Sequence, residues 1–120
     1  MTAINTHTIE RLAATKTIDF TTIGRRSGEP ARIEIWWFRV EDRFIISGTP
    51  GVRDWVANVL DNPSVVVHTD DGDFPGTAQV VDDREFRRRF FLHVDVSWYR
   101  TQADLDKLVE TAPMIEITLT

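Results

Sequence analysis

Asp71-Gly72 lies between SVVVHTD (64–70) and FPGTAQVV (74–81), and such a dipeptide between β-branched stretches predicts a tight antiparallel hairpin. Four further stretches have the same strand character: TIDFTTIG (17–24), ARIEIWWFRV (31–40), RFIISG (43–48) and MIEITLT (114–120). Their connections are of hairpin length or hold only short helices, which favours an antiparallel sheet closed into a small barrel over a βαβ layout. The expected class is α+β, mainly β. In the second stretch Ile33, Ile35 and Trp37 share one face and Arg32, Glu34, Trp36 and Phe38 the other, so both faces carry aromatic bulk. Pro75 marks an edge or a bulge at the start of its strand.

Between the strands, four short helices are expected. Thr6 can cap a first one with Ile9, Leu12 and Ala13 on one face. A second begins near Val52, turns Trp55, Val56, Val59 and Leu60 toward the core, and stops at Asn62-Pro63. Asp82 or Asp83 can cap a third, in which Phe86, Phe90 and Val94 align while Arg87, Arg88 and Arg89 form a solvated face rather than a nucleic-acid patch. Thr101 with Asp104 resembles a capping box opening a fourth, which carries Leu105, Leu108 and Val109.

At 120 residues, one domain spanning 1–120 is expected, and apolar runs such as Val65–Val67 are far too short to cross a bilayer. The amino-terminal residues lack a secretory pattern, so the expected location is cytoplasmic. Absence of cysteine excludes disulfides, thiolate catalysis and cysteine-ligated metals. The net charge of −5 and pI near 5.1 disfavour nucleic acid as a partner, so any cationic site must be local. His7, His68 and His93 have no metal-ligand spacing, and His68 either points outward or serves as a polar group at the barrel rim. Asp70, Asp71 and Asp73 read as a solvated hairpin rather than a calcium loop. No nucleophile elbow, P-loop or dinucleotide fingerprint is present; GTPG at 48–51 lacks the spacing and context.

The local cationic candidate is TTIGRRSGEPAR, residues 21–32. A turn around Gly28 can present Arg25, Arg26 and backbone N–H groups to an anion, with Arg32 closing on the same point from the return strand. Guanidinium groups suit phosphate because their planar fork donates two hydrogen bonds at once. An ordinary basic hairpin tip explains the composition equally well.

This stretch, followed in order by W-x-x-N (55–58) and N-P-x-V-x-V (62–67), resembles the deazaflavin-dependent nitroreductase family, a branch of the split β-barrel flavin and deazaflavin oxidoreductases. The resemblance covers roughly residues 17–70 and implies a six-stranded split barrel with a groove for the deazaflavin coenzyme F420. It implies that Arg25, Arg26, Ser27, Gly28 and Arg32 bind the coenzyme phosphate, and that Ser47, Gly48, Thr49 and Gly51 pass beside the deazaflavin ring. Trp55 and Asn58 match the helix that follows; Trp55 serves as a ring contact or as a core aromatic. Trp98 and Tyr99 fall where relatives place substrate-facing tyrosines, and Trp36 can floor or narrow the groove. Tyr99 or water can supply the proton that completes a reduction.

The implied activity is hydride transfer from reduced deazaflavin to a quinone, an enone or a nitroaromatic, with no metal and no protein nucleophile. Two alternatives remain: FMN in the same groove, or a non-catalytic module that binds deazaflavin or lipid. A monomer or a homodimer is compatible with either. The chain departs from relatives at Ile33-Glu34-Ile35-Trp36-Trp37, where Glu34 brings a carboxylate within two residues of Arg32 and can weaken binding of an anionic tail. Its amino-terminal segment is also short, which would leave substrate more exposed.

Overall fold

A computed structural model describes residues 5–120. Helix α1 (Thr6–Ala14) leads into strands β1 (Thr17–Ile23), β2 (Pro30–Val40) and β3 (Arg43–Ser47). Helix α2 (Asp54–Asp61) precedes the hairpin of β4 (Ser64–Thr69) and β5 (Gly72–Val80). Helix α3 (Arg84–Leu92), a 3-10 turn at Val94–Val96, α4 (Tyr99–Gln102) and α5 (Leu105–Thr111) then lead to β6 (Met114–Leu119). All neighbouring strands are antiparallel and close a barrel in the order β1-β2-β3-β6-β5-β4. The expected six-stranded, mainly β architecture is therefore observed. Among the described residues no helix is long and apolar enough to cross a membrane.

Alternation along β2 builds two cores at once. Trp37, buried, points into the barrel and stacks on Phe44, with ring centroids 4.2 Å apart. Phe38 and Val40 point the other way and join Ile45, Met114 and the Phe86, Phe90 and Phe91 rings under α3–α5. The β2–β3–β6 wall is thus sandwiched between barrel interior and helical layer, which explains why Phe44, Ile45, Ile46 and Ser47 are all buried in succession. Helix α2 sends Trp55 and Val59 into the interior, where Trp55 meets Phe20 edge-on.

Two glycines and one turn fix the register. Gly76 pairs with Leu119, and a Cβ there would lie 2.5 Å from the Thr118 carbonyl oxygen, so β5 and β6 approach more closely than alanine permits. Glu41 and Asp42 connect β2 to β3 as a two-residue turn with φ of 53° and 60°, the left-handed pair such hairpins require. Glu41 also accepts two hydrogen bonds from Arg89 of α3, which hold its carboxyl below the ordinary value. Gly72 follows the expected hairpin bend with φ 124°. Pro75 does occupy an edge position: Gly72–Pro75 pairs with β4, while the β6 ladder starts only at Gly76.

Several helical expectations are corrected. Asn5, not Thr6, caps α1 by accepting from the Thr8 N–H, and Ala13 is exposed. In α2 Leu60 is 72 % exposed and its place on the inner face is taken by Asn58. The third helix ends at Leu92 and leaves Val94 76 % exposed in the following turn. Of the two expected caps Asp83 is the one used, while α5 is capped by Asp104 alone, because Thr101 belongs to α4. Most consequential, Arg87 is not solvated: it is 7 % exposed and donates to the carbonyls of Val81, Leu108, Val109 and Ala112 over 2.5–3.4 Å. Its guanidinium takes up the Val109 and Ala112 carbonyls at the end of α5 and shares that of Leu108 with the Ala112 N–H.

Candidate functional site

The basic loop between β1 and β2 is built by its own hydrogen bonds. Gly24 N–H donates to the Glu29 carbonyl and Gly28 N–H to the Gly24 carbonyl, each at 2.8 Å, while Ser27 Oγ accepts from the Glu29 N–H at 3.1 Å. Gly28 has φ 71° and open space around its Cβ position. Asn58 clips the loop to α2: its Oδ1 accepts from Arg25 N–H (3.2 Å) and Nη1 (2.9 Å), and its Nδ2 donates to Thr22 Oγ1 (3.0 Å). Arg25 also reaches Asp54 at 3.3 Å. Arg26 is exposed, and among the described residues its guanidinium, its N–H and that of Ser27 have no protein partner.

The structure does not bring Arg32 to the same point. Arg32 lies opposite Thr21 on the outer face of the sheet and donates from Nε to Asp19 at 2.9 Å. It lines a pocket of about 640 Å³ together with Arg11, Asp19, Glu34, His68 and the 70–73 hairpin. In that pocket Arg11 pairs with Asp71, and His68 faces outward with Nδ1 2.8 Å from Asp73 and Nε2 2.7 Å from Thr21 Oγ1. A carboxylate only accepts, so Nδ1 carries a proton toward Asp73.

A second pocket, of about 310 Å³, adjoins the first along Thr17 and Glu34, which line both. Here the structure gathers Trp36, Ser47, Gly48, Thr49, Trp55, Trp98 and Tyr99, seven of the residues singled out in the sequence. Strands β2 and β3 contribute one wall, the 48–53 turn and α2 a second, and the α4 entry a third. Ser47 Oγ is fixed on the Pro113 carbonyl at 2.6 Å. Trp36 meets Trp98 edge-on with centroids 5.6 Å apart, and Lys16 Nζ lies 4.2 Å over the Trp36 ring. Trp98 is 47 % exposed, whereas Tyr99 is packed among Phe38, Phe91 and Trp98. Burial pushes the Tyr99 phenol up to about 12, against a smaller downward pull from Arg53. Gly51 is exposed beside this pocket with φ 142°.

Of the two pockets the smaller is the better candidate for a planar ring, because flat apolar walls with a few polar groups suit such ligands. Small residues at 47–49 and aromatic walls fit a deazaflavin ring, and the unpartnered donors of Arg26 and Ser27 fit its phosphate. Sequence reasoning missed Arg53, the N-cap residue of α2, which also lines this pocket.

The family described as F420H(2)-dependent quinone reductase matches residues 2–112. No curated protein matches the chain. Among solved structures, a conserved hypothetical protein from Mycobacterium tuberculosis superposes with TM-score 0.71 at 15 % identity, covering 99 % of this chain and 82 % of that one. An F420-H2 dependent reductase, FDR-A, superposes with TM-score 0.64 at 22 % identity, covering 86 % and 94 %. A pyridoxamine 5'-phosphate oxidase-like protein from Listeria innocua gives TM-score 0.64 at 13 % identity over 92 % and 86 %, so the barrel fold extends beyond deazaflavin proteins. With a family match over nearly its whole length, the chain belongs to the F420H(2)-dependent quinone reductase family, and it is a deazaflavin-dependent oxidoreductase whose cofactor is F420.

Proposed function

We propose that this chain reduces an electron-poor small molecule, a quinone, an enone or a nitroaromatic, in the aromatic pocket between Trp36, Trp55, Trp98 and Tyr99. The observation that carries this reading is the convergence of those rings on the small residues Ser47, Gly48 and Thr49 from three separate elements. When bound, reduced F420 supplies the hydride from its C5 carbon. The chain's own residues supply position, charge and dryness.

Arg26, with the N–H groups of Arg26 and Ser27, would hold the phosphate; Asn58 and Arg25 keep the loop in place for it. Ser47, Gly48 and Thr49 would lie along the ring, and Trp55 braces that wall from the core. Trp36 and Trp98 would stack on the acceptor and exclude water. Tyr99 stays neutral well above physiological pH, so its hydroxyl can donate a hydrogen bond to an acceptor oxygen that gains charge.

Tryptophan quenching by F420 tests the cofactor part, and coenzyme oxidation across quinones and nitroaromatics tests the reaction. Saturable quenching is expected, weakened about five- to tenfold in Arg26→Ala. Absence of quenching would overturn the placing of the coenzyme beside these tryptophans, and binding without oxidation of any acceptor would overturn the catalytic reading.

A further inference from the structure

Among the described residues Arg53 is a cation without a counter-ion. Its Nη2 donates to the Thr49 carbonyl at 3.0 Å and to Thr49 Oγ1 at 3.1 Å, and its Nη1 donates to the Val52 carbonyl at 3.3 Å. Two glycines leave it room: a Cβ at Gly48 would come 3.2 Å from Nη2, and one at Gly51 3.0 Å from Nη1. The guanidinium therefore lies flat against the 48–52 turn, held before any ligand arrives. Among the described residues no carboxylate comes within 4.0 Å of it, whereas Arg11, Arg25 and Arg32 nearby all have one.

Its surroundings make that isolation consequential. Arg53 is half-buried and shares its pocket with three tryptophans and a neutral tyrosine, which replace water without offering a negative charge. A partly desolvated cation without an opposing charge is unfavourable, and a ligand that brings the charge removes the penalty. Guanidinium is weakly hydrated and presents a planar fork, so it prefers carboxylate-like oxygens. Glu34 is the pocket's one carboxylate, exposed at the border with the larger pocket, and there it repels rather than recruits an anion.

We propose that the aromatic pocket selects hydride acceptors carrying an anionic oxygen on the ring, a carboxylate or an acidic hydroxyl, seated on the Arg53 guanidinium. The proposal rests on the reading of this pocket as the acceptor site, and it deepens that reading by naming the substrate class. Arg53 and Glu34 then act as opposed specificity determinants, one attracting the acceptor's charge and the other keeping it away from the shared border.

The test needs no coenzyme. Tryptophan fluorescence of the full chain is titrated with 4-nitrobenzoate and with its methyl ester, which share ring and nitro group and differ in charge. The carboxylate should bind about fivefold or more tightly than the ester. Arg53→Met should bring that ratio to about one, Arg53→Lys should retain part of it, and Glu34→Gln should raise it by about two- to threefold. Equal affinities in the unaltered protein, or a ratio that survives Arg53→Met, would overturn the proposal. Glu34 is an exposed surface residue, so its variant tests the sign of the effect even if Arg53→Met fails to fold. Quenching by F420 alongside a ratio of one overturns this inference alone; a charge preference without F420 quenching supports it and leaves only the coenzyme reading overturned.

Discussion

The larger pocket answers both of its arginines with carboxylates of its own, Arg11 with Asp71 and Arg32 with Asp19, whereas in the aromatic pocket Arg53 is bonded, among the described residues, to carbonyls and a hydroxyl and to no carboxylate. The two adjoin along Thr17 and Glu34. Their difference shows that the presence of a guanidinium says little about anion binding until its existing partners are known. Surface ion pairs are individually weak, but each must be exchanged before its arginine can serve a ligand.

Arg87 is the extreme of the engaged arginines, and its removal should have the largest effect. Arg87→Met removes the guanidinium donors from the Val81, Val109 and Ala112 carbonyls, while Leu108 keeps the Ala112 N–H, and should cost about 3 kcal/mol, read from urea denaturation. A loss below about 1 kcal/mol would mean that water replaces the guanidinium, which would blur the contrast with Arg53.

Tyr99 reports on how dry the aromatic pocket is, and the chain contains a single tyrosine, so its absorbance titration has one source. Its phenol should ionise near 12 rather than at the ordinary 10.0. Because the unfolded chain ionises first, folding stability should be full below pH 10 and decline as pH rises from 10 toward 12. Ionisation of the folded protein near 10 would make the pocket wet and weaken the distinction between the two regions.

Asp19→Asn should free Arg32 and tighten binding of the anionic coenzyme by about threefold, less at high salt. No change in that titration would mean that the coenzyme does not reach the larger pocket. The smallest effect is expected remote from both pockets: Asp42→Gly, at φ 60°, should stabilise the β2–β3 turn by up to about 1 kcal/mol without altering either titration.

The strands were legible because alternation and turn residues are local signals. TIDFTTI, RFIIS and the 64–80 hairpin all fall where their composition indicates. Helix faces were harder, since a short helix offers few residues from which to fix a stripe. On α2 the inner face takes Asn58 rather than Leu60 because Asn58 satisfies Thr22 and Arg25 across the chain. A signal for Arg87 did exist: three and four residues before Phe90 and Phe91, it lies on their face. Seven residues named from the motif order line the aromatic pocket, whereas Arg32 pairs with Asp19, a partner set by strand register. Arg53 had no signal at all, because its isolation depends on which carboxylates approach the 48–53 turn from elsewhere.

One consequence of the double-sided β2–β3–β6 wall concerns motion. Strand β3 is covered on both faces, so its amides should exchange with solvent only on global unfolding. Helix α4, by contrast, has four residues, too few to be stable alone, and it carries Tyr99 into the pocket with exposed Trp98 immediately before it. Amides of this outer wall should therefore exchange ahead of those of β3, one side of the pocket moving while the opposite side stays still.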